Sequence, residues 1–537
     1  MNRLQISIIT AFFSLTSVAS STQHSILRLA FADSLKVKNT APVTPKLPQT
    51  DSSKVEKRQV RYSPVRELQM DIDALLAAPE LSNANIGIAV LAVENGEYFY
   101  RKNETKNYIP ASTLKTLTTA AALDILGKDF RYSTKIYLDG EPPVNGEFVG
   151  NMIIRGVGDP TMSSYFYPDP IDILEEFAMK LDSFGIRSIR GNIIADDSYF
   201  DDNYYATGWA FDDLMYPYSA QVNALSFADN KVDVQVNPAQ AVGELSRISM
   251  LPDNTYVHII NNALTSSSDS QELLVPYRDT RTNSIEIRGK IPFEAKGLGV
   301  GSISGSKLSV TIDNPSLYFL NLLKQTLEKH GIKVRGALLD YADWNMKISY
   351  ARLQSICEHT SPPLSEIVAV VNKFSHNLCA EMLLKTIGKE TTGIGSFATG
   401  LEQIKKYAAR QGILTNSINV VDGSGLSRLN LISPQNQVTL LSSIYRSNKQ
   451  ETFLASLAVP GAQGTLRGRM TQSRAEKNVW AKTGSMNNVS AICGYITTRD
   501  SEPLAFSIIV NGFTVPENIV HNLQDLICMR LASFTRK

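Results

Sequence analysis

The chain runs to 537 residues, 43% apolar and 20% charged, with a formal net charge of +1. This is too long for one ordinary core, so about two to four domains are expected. The composition excludes a disordered or collagen-like polymer, and the balanced charge excludes the basic field of a typical nucleic-acid binder.

Met1-Asn2-Arg3 leads into a mostly apolar run from Leu4 to Val18. The run is short for a membrane span and fits an export signal within residues 1–32, with cleavage near Ala19-Ser20 or Ala30-Phe31-Ala32. A retained N-terminal anchor is the alternative. Residues 33–64 are rich in Pro, Thr, Ser and Lys without apolar periodicity and read as a flexible linker. Nothing later is apolar for long enough to span a bilayer.

Folded structure is expected from about Val65. Residues 66–79 have helical spacing and end at Pro79. Residues 86–93 form a β-rich run, and Glu94-Asn95-Gly96 turns it into a return strand over 97–100. Pro110 opens a helix from Ala111 to Leu126, stopped by Gly127. From about 133 to 345, short β-like pieces alternate with Gly, Asn, Asp and Pro turns, with one helix at 315–330. Helical texture returns over 364–388 and 398–412. Strands at 490–498 and 503–512 and a helix at about 515–534 close the chain. These ends predict one sheet built from both termini, a catalytic region over 65–132 and 346–537, and one or two β-rich domains at 133–345 inserted between.

Cys357, Cys379, Cys493 and Cys528 are scattered, with no CxxC or Cys/His cluster, so no metal and no cofactor is expected. Buried small apolar side chains are favoured over disulfides, although export would permit pairing.

Three short motifs carry chemistry. Ser112-Thr-Leu-Lys115 places a hydroxyl and an amine three residues apart on one helical face, where a lysine of lowered pKa can activate the serine. The spacing alone is weak, and Ser304-Gly-Ser-Lys307 repeats it in a Gly/Ser turn without a helix. Ser375-His-Asn377 adds a second hydroxyl and an amide; Ser417-Ile-Asn419 and Ser485-Met-Asn487 share that pattern. Its central His376 is not needed for the chemistry. Lys482-Thr-Gly484 precedes a predicted strand, where Gly484 permits close backbone approach and the lysine and hydroxyl can hold a carboxylate. Order and context make the set specific: it is the pattern of penicillin-binding proteins and serine β-lactamases.

The long interval between Ser112 and Ser375, with Arg155-Gly-Val-Gly-Asp-Pro160, Asp422-Gly-Ser-Gly-Leu-Ser-Arg428 and Gly464-Thr-Leu-Arg467, resembles the S13 family of D-alanyl-D-alanine carboxypeptidases/endopeptidases over about 65–535. The resemblance implies an α/β multidomain fold: a penicillin-binding-protein/β-lactamase-like domain, an antiparallel sheet flanked by helices, with two β-rich domains inserted between the first two motifs. It implies an exported, periplasmic enzyme acting on peptidoglycan stem peptides ending in D-Ala-D-Ala and acylated by β-lactams, without nucleic-acid partners and with at most peripheral membrane contact. Ser112 would be the nucleophile and Lys115 its base. Ser375, Asn377 and Lys482 would relay the proton, and Thr483, Gly484 and Ser485 would receive the terminal carboxylate. The backbone N–H groups of Ser112 and Ser485 would hold the oxyanion. Asp196, Phe200 and Arg428 would line the pocket for the stem-peptide side chain. The second motif departs from the commoner Ser-Asp-Asn, and Asn487 stands where some members have Gln. A β-lactamase or esterase, or a silent penicillin-binding scaffold, are the competing readings.

Overall fold

The computed structural model describes residues 62–293, 305–344 and 346–537. The expected export segment, most of the linker, and Ser304 of the repeated Ser-Lys spacing lie outside the described residues.

The first helix, Pro64–Leu76, is set by Ser63, whose side chain accepts from the Arg66 N–H, and by Pro64 at its first position. Strand Asn85–Ala92 follows and turns at Gly96, whose φ of 76° suits glycine, into strand Tyr98–Lys102. These two strands do not form a sheet of their own. They complete an antiparallel sheet ordered Val479–Met486, Val489–Thr497, Pro503–Asn511, Asn85–Ala92, Tyr98–Lys102. Register runs from Asn85 opposite Asn511 to Ala92 opposite Leu504, so the two ends of the chain meet at the middle of one sheet.

Both faces of this sheet are covered, which explains why residues 86–93 read as a continuous apolar run. Ile86, Ile88, Val90 and Ala92 pack with Leu68 and Ile72 and with Val520, Ile527 and Leu531 of the closing helix, Glu517–Ala532. Ala89, Leu91 and Val93 face the opposite core, made with Leu114, Leu117 and the helices that follow residue 364. All four cysteines are buried and free, spread over these cores and a third.

That third core belongs to the middle of the chain. A seven-stranded sheet, two three-stranded sheets and the helices Ile171–Ser183 and Pro315–Lys329 share it. The first of these helices was not expected, although Ile173, Leu174, Phe177, Ala178 and Leu181 trace its buried stripe. Strand Gln354–Thr360 pairs with Ser133–Gly140, so this sheet reaches past residue 345.

One further expectation changes. The segment 364–388 is two helices, Leu364–Lys373 and Asn377–Thr392, broken at Ser375, whose φ is 61°. Lys482-Thr-Gly484 lies inside an edge strand of its own, Val479–Met486, ahead of the expected strand, which runs Val489–Thr497. Among the described residues, no helix is long and apolar enough to cross a membrane.

Candidate active site

Ser112 sits in a tight 3-10 turn, Ala111–Leu114, that runs directly into the α-helix Lys115–Ile125. In such a turn side chains three apart eclipse one another, which aligns Ser112 with Lys115. Ala111 just before it has φ 46°, a left-handed conformation that a non-glycine residue keeps only when its surroundings hold it. Gly425 allows that packing: a Cβ there would lie 2.0 Å from the Ala111 carbonyl oxygen.

Lys115 is completely buried, and burial pulls its pKa down to about 7. Its Nζ has three partners: Ser112 Oγ at 2.8 Å, Asn377 Oδ1 at 2.6 Å and the Ser424 carbonyl oxygen at 2.6 Å. The last two can only accept. Asn377 is fixed in this orientation because its Nδ2 donates to the Tyr218 carbonyl at 2.7 Å. A neutral amine has two N–H bonds and one lone pair. The two N–H bonds are taken by Asn377 and Ser424, so the lone pair faces the Ser112 hydroxyl, the one partner able to donate. The arrangement can take a proton from Ser112.

Two buried carboxylates stand behind this cluster, and sequence reasoning missed both. Glu381 accepts from the Gly423 and Ser424 N–H groups at 2.8 and 2.7 Å. Asp422 accepts from Gly425 and Ser427 N–H and from Trp209 and Asn430 side chains. Together they shape the loop whose Ser424 carbonyl holds Lys115. Both carboxyls have raised pKa values, first through burial; Asp422 adds to the rise at Glu381, to about 8. When ionised, they favour the ammonium of Lys115 and so oppose the effect of burial there.

Ser375 stands between two helices, and Asn377 opens the second. His376 caps that helix, its Nδ1 accepting from the Cys379 N–H. Lys482 is fully buried in the edge strand, donates to the Thr483 carbonyl at 2.6 Å, and is held well below the ordinary lysine range by burial and then by Lys115. Thr483 Oγ1 donates to Thr465 Oγ1 at 2.8 Å, and exposed Ser485 hydrogen-bonds Glu517. Gly484 is the point of closest approach: a Cβ would meet the Pro110 carbonyl oxygen at 2.8 Å and the Ser112 nitrogen at 2.9 Å. The third motif is thereby pressed against the Ser112 turn.

Arg428 is exposed and donates to the Asn487 carbonyl at 2.7 Å, at the end of the same edge strand. Asp196 and Phe200 are engaged elsewhere. Asp196 hydrogen-bonds Tyr350 and the Ser198 N–H, and Phe200 pairs with Gly395 and packs on Gly158. Their contacts do not join the cluster around Ser112.

A family model for D-Ala-D-Ala carboxypeptidase 3 (S13) matches residues 68–532. The chain is 35% identical over 479 residues to a D-alanyl-D-alanine carboxypeptidase of Actinomadura sp. (strain R39), covering 87% of this chain and 85% of that protein. Its fold is similar to that of penicillin binding protein 4 from Haemophilus influenzae, with a TM-score of 0.75 at 23% identity, covering 86% of this chain and all of that one. The same Haemophilus protein complexed with a novel β-lactam gives a TM-score of 0.68 at 22% identity, over 85% of this chain and 98% of that one. The chain has this α/β fold with several sheets, and it belongs to the D-Ala-D-Ala carboxypeptidase S13 family.

Proposed function

We propose that the protein is an exported serine D-Ala-D-Ala carboxypeptidase that also splits peptidoglycan cross-links, working through an acyl-Ser112 intermediate. The observation that carries this reading is the set of Lys115 partners: two pure acceptors and one hydroxyl, around a buried amine. Neutral Lys115 takes the Ser112 proton as Oγ attacks the carbonyl between the last two D-alanines. The backbone N–H groups of Ser112 and Ser485 stabilise the oxyanion, which Gly484 permits by bringing the edge strand against the turn. The proton passes through Ser375, supported by Lys482, to the leaving amine; Asn377 keeps Lys115 and the peptide in place. Thr483 and Ser485 receive the terminal carboxylate. Water then hydrolyses the ester and restores Ser112.

A β-lactam acylates the same serine and leaves slowly. Arg428, exposed beside Asn487, is one member of the expected side-chain pocket, with Asp196, bonded to Tyr350, and Phe200, packed on Gly158, as the other two. This reading takes the residues from Ser133 to Thr360, whose end strands pair with each other, as the inserted region between the first and second motifs. The mature protein acts in the periplasm.

A labelled penicillin tests the reading. The folded protein is expected to take one label, mapped by peptide mass to Ser112, and Ser112→Ala to take none. Folded protein that takes no label overturns it. Digestion of purified peptidoglycan, with released D-alanine measured against split cross-links, then separates the two activities.

A further inference from the structure

The second motif is held from outside the catalytic core. His376 Nδ1 accepts from the Cys379 N–H, so its ring proton sits on Nε2, and Nε2 lies 3.0 Å from Asp229 Oδ1. Asp229 comes from the middle region of the chain, 147 residues away in sequence. Both side chains are more than nine-tenths buried, with Asp229 at 8% and the His376 side chain at 9% exposure. Tyr165, also from the middle region, meets the imidazole edge-on at 4.8 Å.

The turn that presents Asp229 is unusual. Ala228, Asp229 and Asn230 have φ values of 48°, 56° and 53°, three consecutive non-glycine residues in the left-handed region. Such a run persists only when it is pinned from several sides. Here Ala228 N–H donates to the Met162 carbonyl, the Asn230 amide donates to Gln221 and Ser226, and the Asn230 carbonyl accepts from Ile312 N–H. What the pinned turn delivers is one carboxylate, aimed at His376. On either side of His376 are Ser375, itself at φ 61°, and Asn377, whose amide donates to the Tyr218 carbonyl of the same middle region and accepts from Lys115.

We propose that Asp229 and His376 form a positioning pair through which the inserted region sets Ser375 and Asn377 against Lys115. His376 is then a hinge pin with two jobs: it caps the helix Asn377–Thr392 and ties it to the strained turn. The proposal rests on the acyl-enzyme reading above, since it concerns the placement of groups in that reaction.

The test compares second-order acylation by labelled penicillin, and kcat and KM for a D-Ala-D-Ala peptide, across four variants of the full protein. Asp229→Ala is expected to slow acylation about tenfold or more, through kcat with KM little changed, because misplaced reacting groups lose rate steeply. Asp229→Asn keeps an acceptor for Nε2–H and is expected to stay within about threefold of the parent. His376→Asp alone places two carboxylates together and is expected to lose as much as Asp229→Ala. The exchange Asp229→His with His376→Asp restores a donor opposite an acceptor, keeps a good helix cap and suits the left-handed turn; it is expected to recover acylation to within about threefold. A merely structural pair would lower the unfolding temperature and leave the acylation rate of folded protein unchanged in all four, and that result overturns the proposal. Failure of the exchange to exceed His376→Asp in rate also overturns it. If the parent protein takes no label, the acyl-enzyme reading falls and the proposal with it; if the parent is labelled and the variants match it, only the proposal falls.

Discussion

One helix, Asn377–Thr392, borders two buried lysines, of which only one has a carboxylate in contact. At its start Asn377 touches Lys115; two turns on, Lys385 points into the protein. Both amines are fully buried, and burial lowers the pKa of each. Lys385 has a carboxylate in contact, Asp201 at 2.7 Å, with the Asn203 carbonyl at 2.7 Å and aromatic faces of Phe200 and Phe397 around it. Lys115 touches only neutral oxygens, while the carboxylates Glu381 and Asp422 are occupied by backbone N–H groups of the neighbouring loop. A lysine with a contacting counter-ion is held as a cation and serves the fold. A lysine given two acceptors and one hydroxyl can lose its proton near neutrality and serve as a base. Glu381, midway along the same helix, holds the Ser424 loop over Lys115.

The largest effect is expected at Lys115, the proposed base. Lys115→Met, which keeps the buried volume, is expected to slow acylation by about a thousandfold or more while the protein still folds. Stopped-flow labelling would show it, and a loss under about tenfold would mean that another group takes the proton. Gly484→Ala comes next. Its Cβ would lie within 3.0 Å of the Pro110 oxygen and the Ser112 nitrogen, so strand and turn must part. Acylation is expected to fall about a hundredfold, with the far-ultraviolet spectrum unchanged.

Glu381→Gln is a smaller perturbation that sharpens the comparison. With its own pKa raised to about 8, Glu381 is largely protonated where Lys115 titrates, so the midpoint of acylation against pH is expected to stay within about half a unit of the parent. The amide has only one acceptor for two N–H groups, which costs about 1–3 kcal/mol of stability, readable by denaturant titration. The smallest catalytic effect is expected at Lys385→Met: acylation within about threefold of the parent, with a stability loss of about 2 kcal/mol, tempered because Asp201 is 29% exposed.

Much of this was legible in the sequence, and the reasons are local. The three motifs announce themselves by order. The run at 86–93 records a strand covered on both faces, and the turn at Gly96 records its hairpin. What escaped depends on contacts distant in sequence. Nothing between 364 and 388 signals a break, because the left-handed Ser375 is imposed by the pieces packed around it. Strand Val479–Met486 was hidden by its own chemistry, since a buried lysine and a glycine interrupt the apolar pattern of an edge strand. Glu381 looked like an ordinary polar residue, and Asp422 only opened a segment of the resemblance, until a 42-residue separation closed between Glu381 and Gly423.

The most direct test of the neutral-base account is the pH dependence of acylation by labelled penicillin. Below about pH 7 Lys115 is an ammonium with no lone pair for the Ser112 proton; above it the amine is neutral. The rate constant is therefore predicted to rise about tenfold per pH unit from pH 5 and to level off above about pH 7. A rate that is flat across this range, or that falls as pH rises, would contradict the assignment of Lys115 as the base.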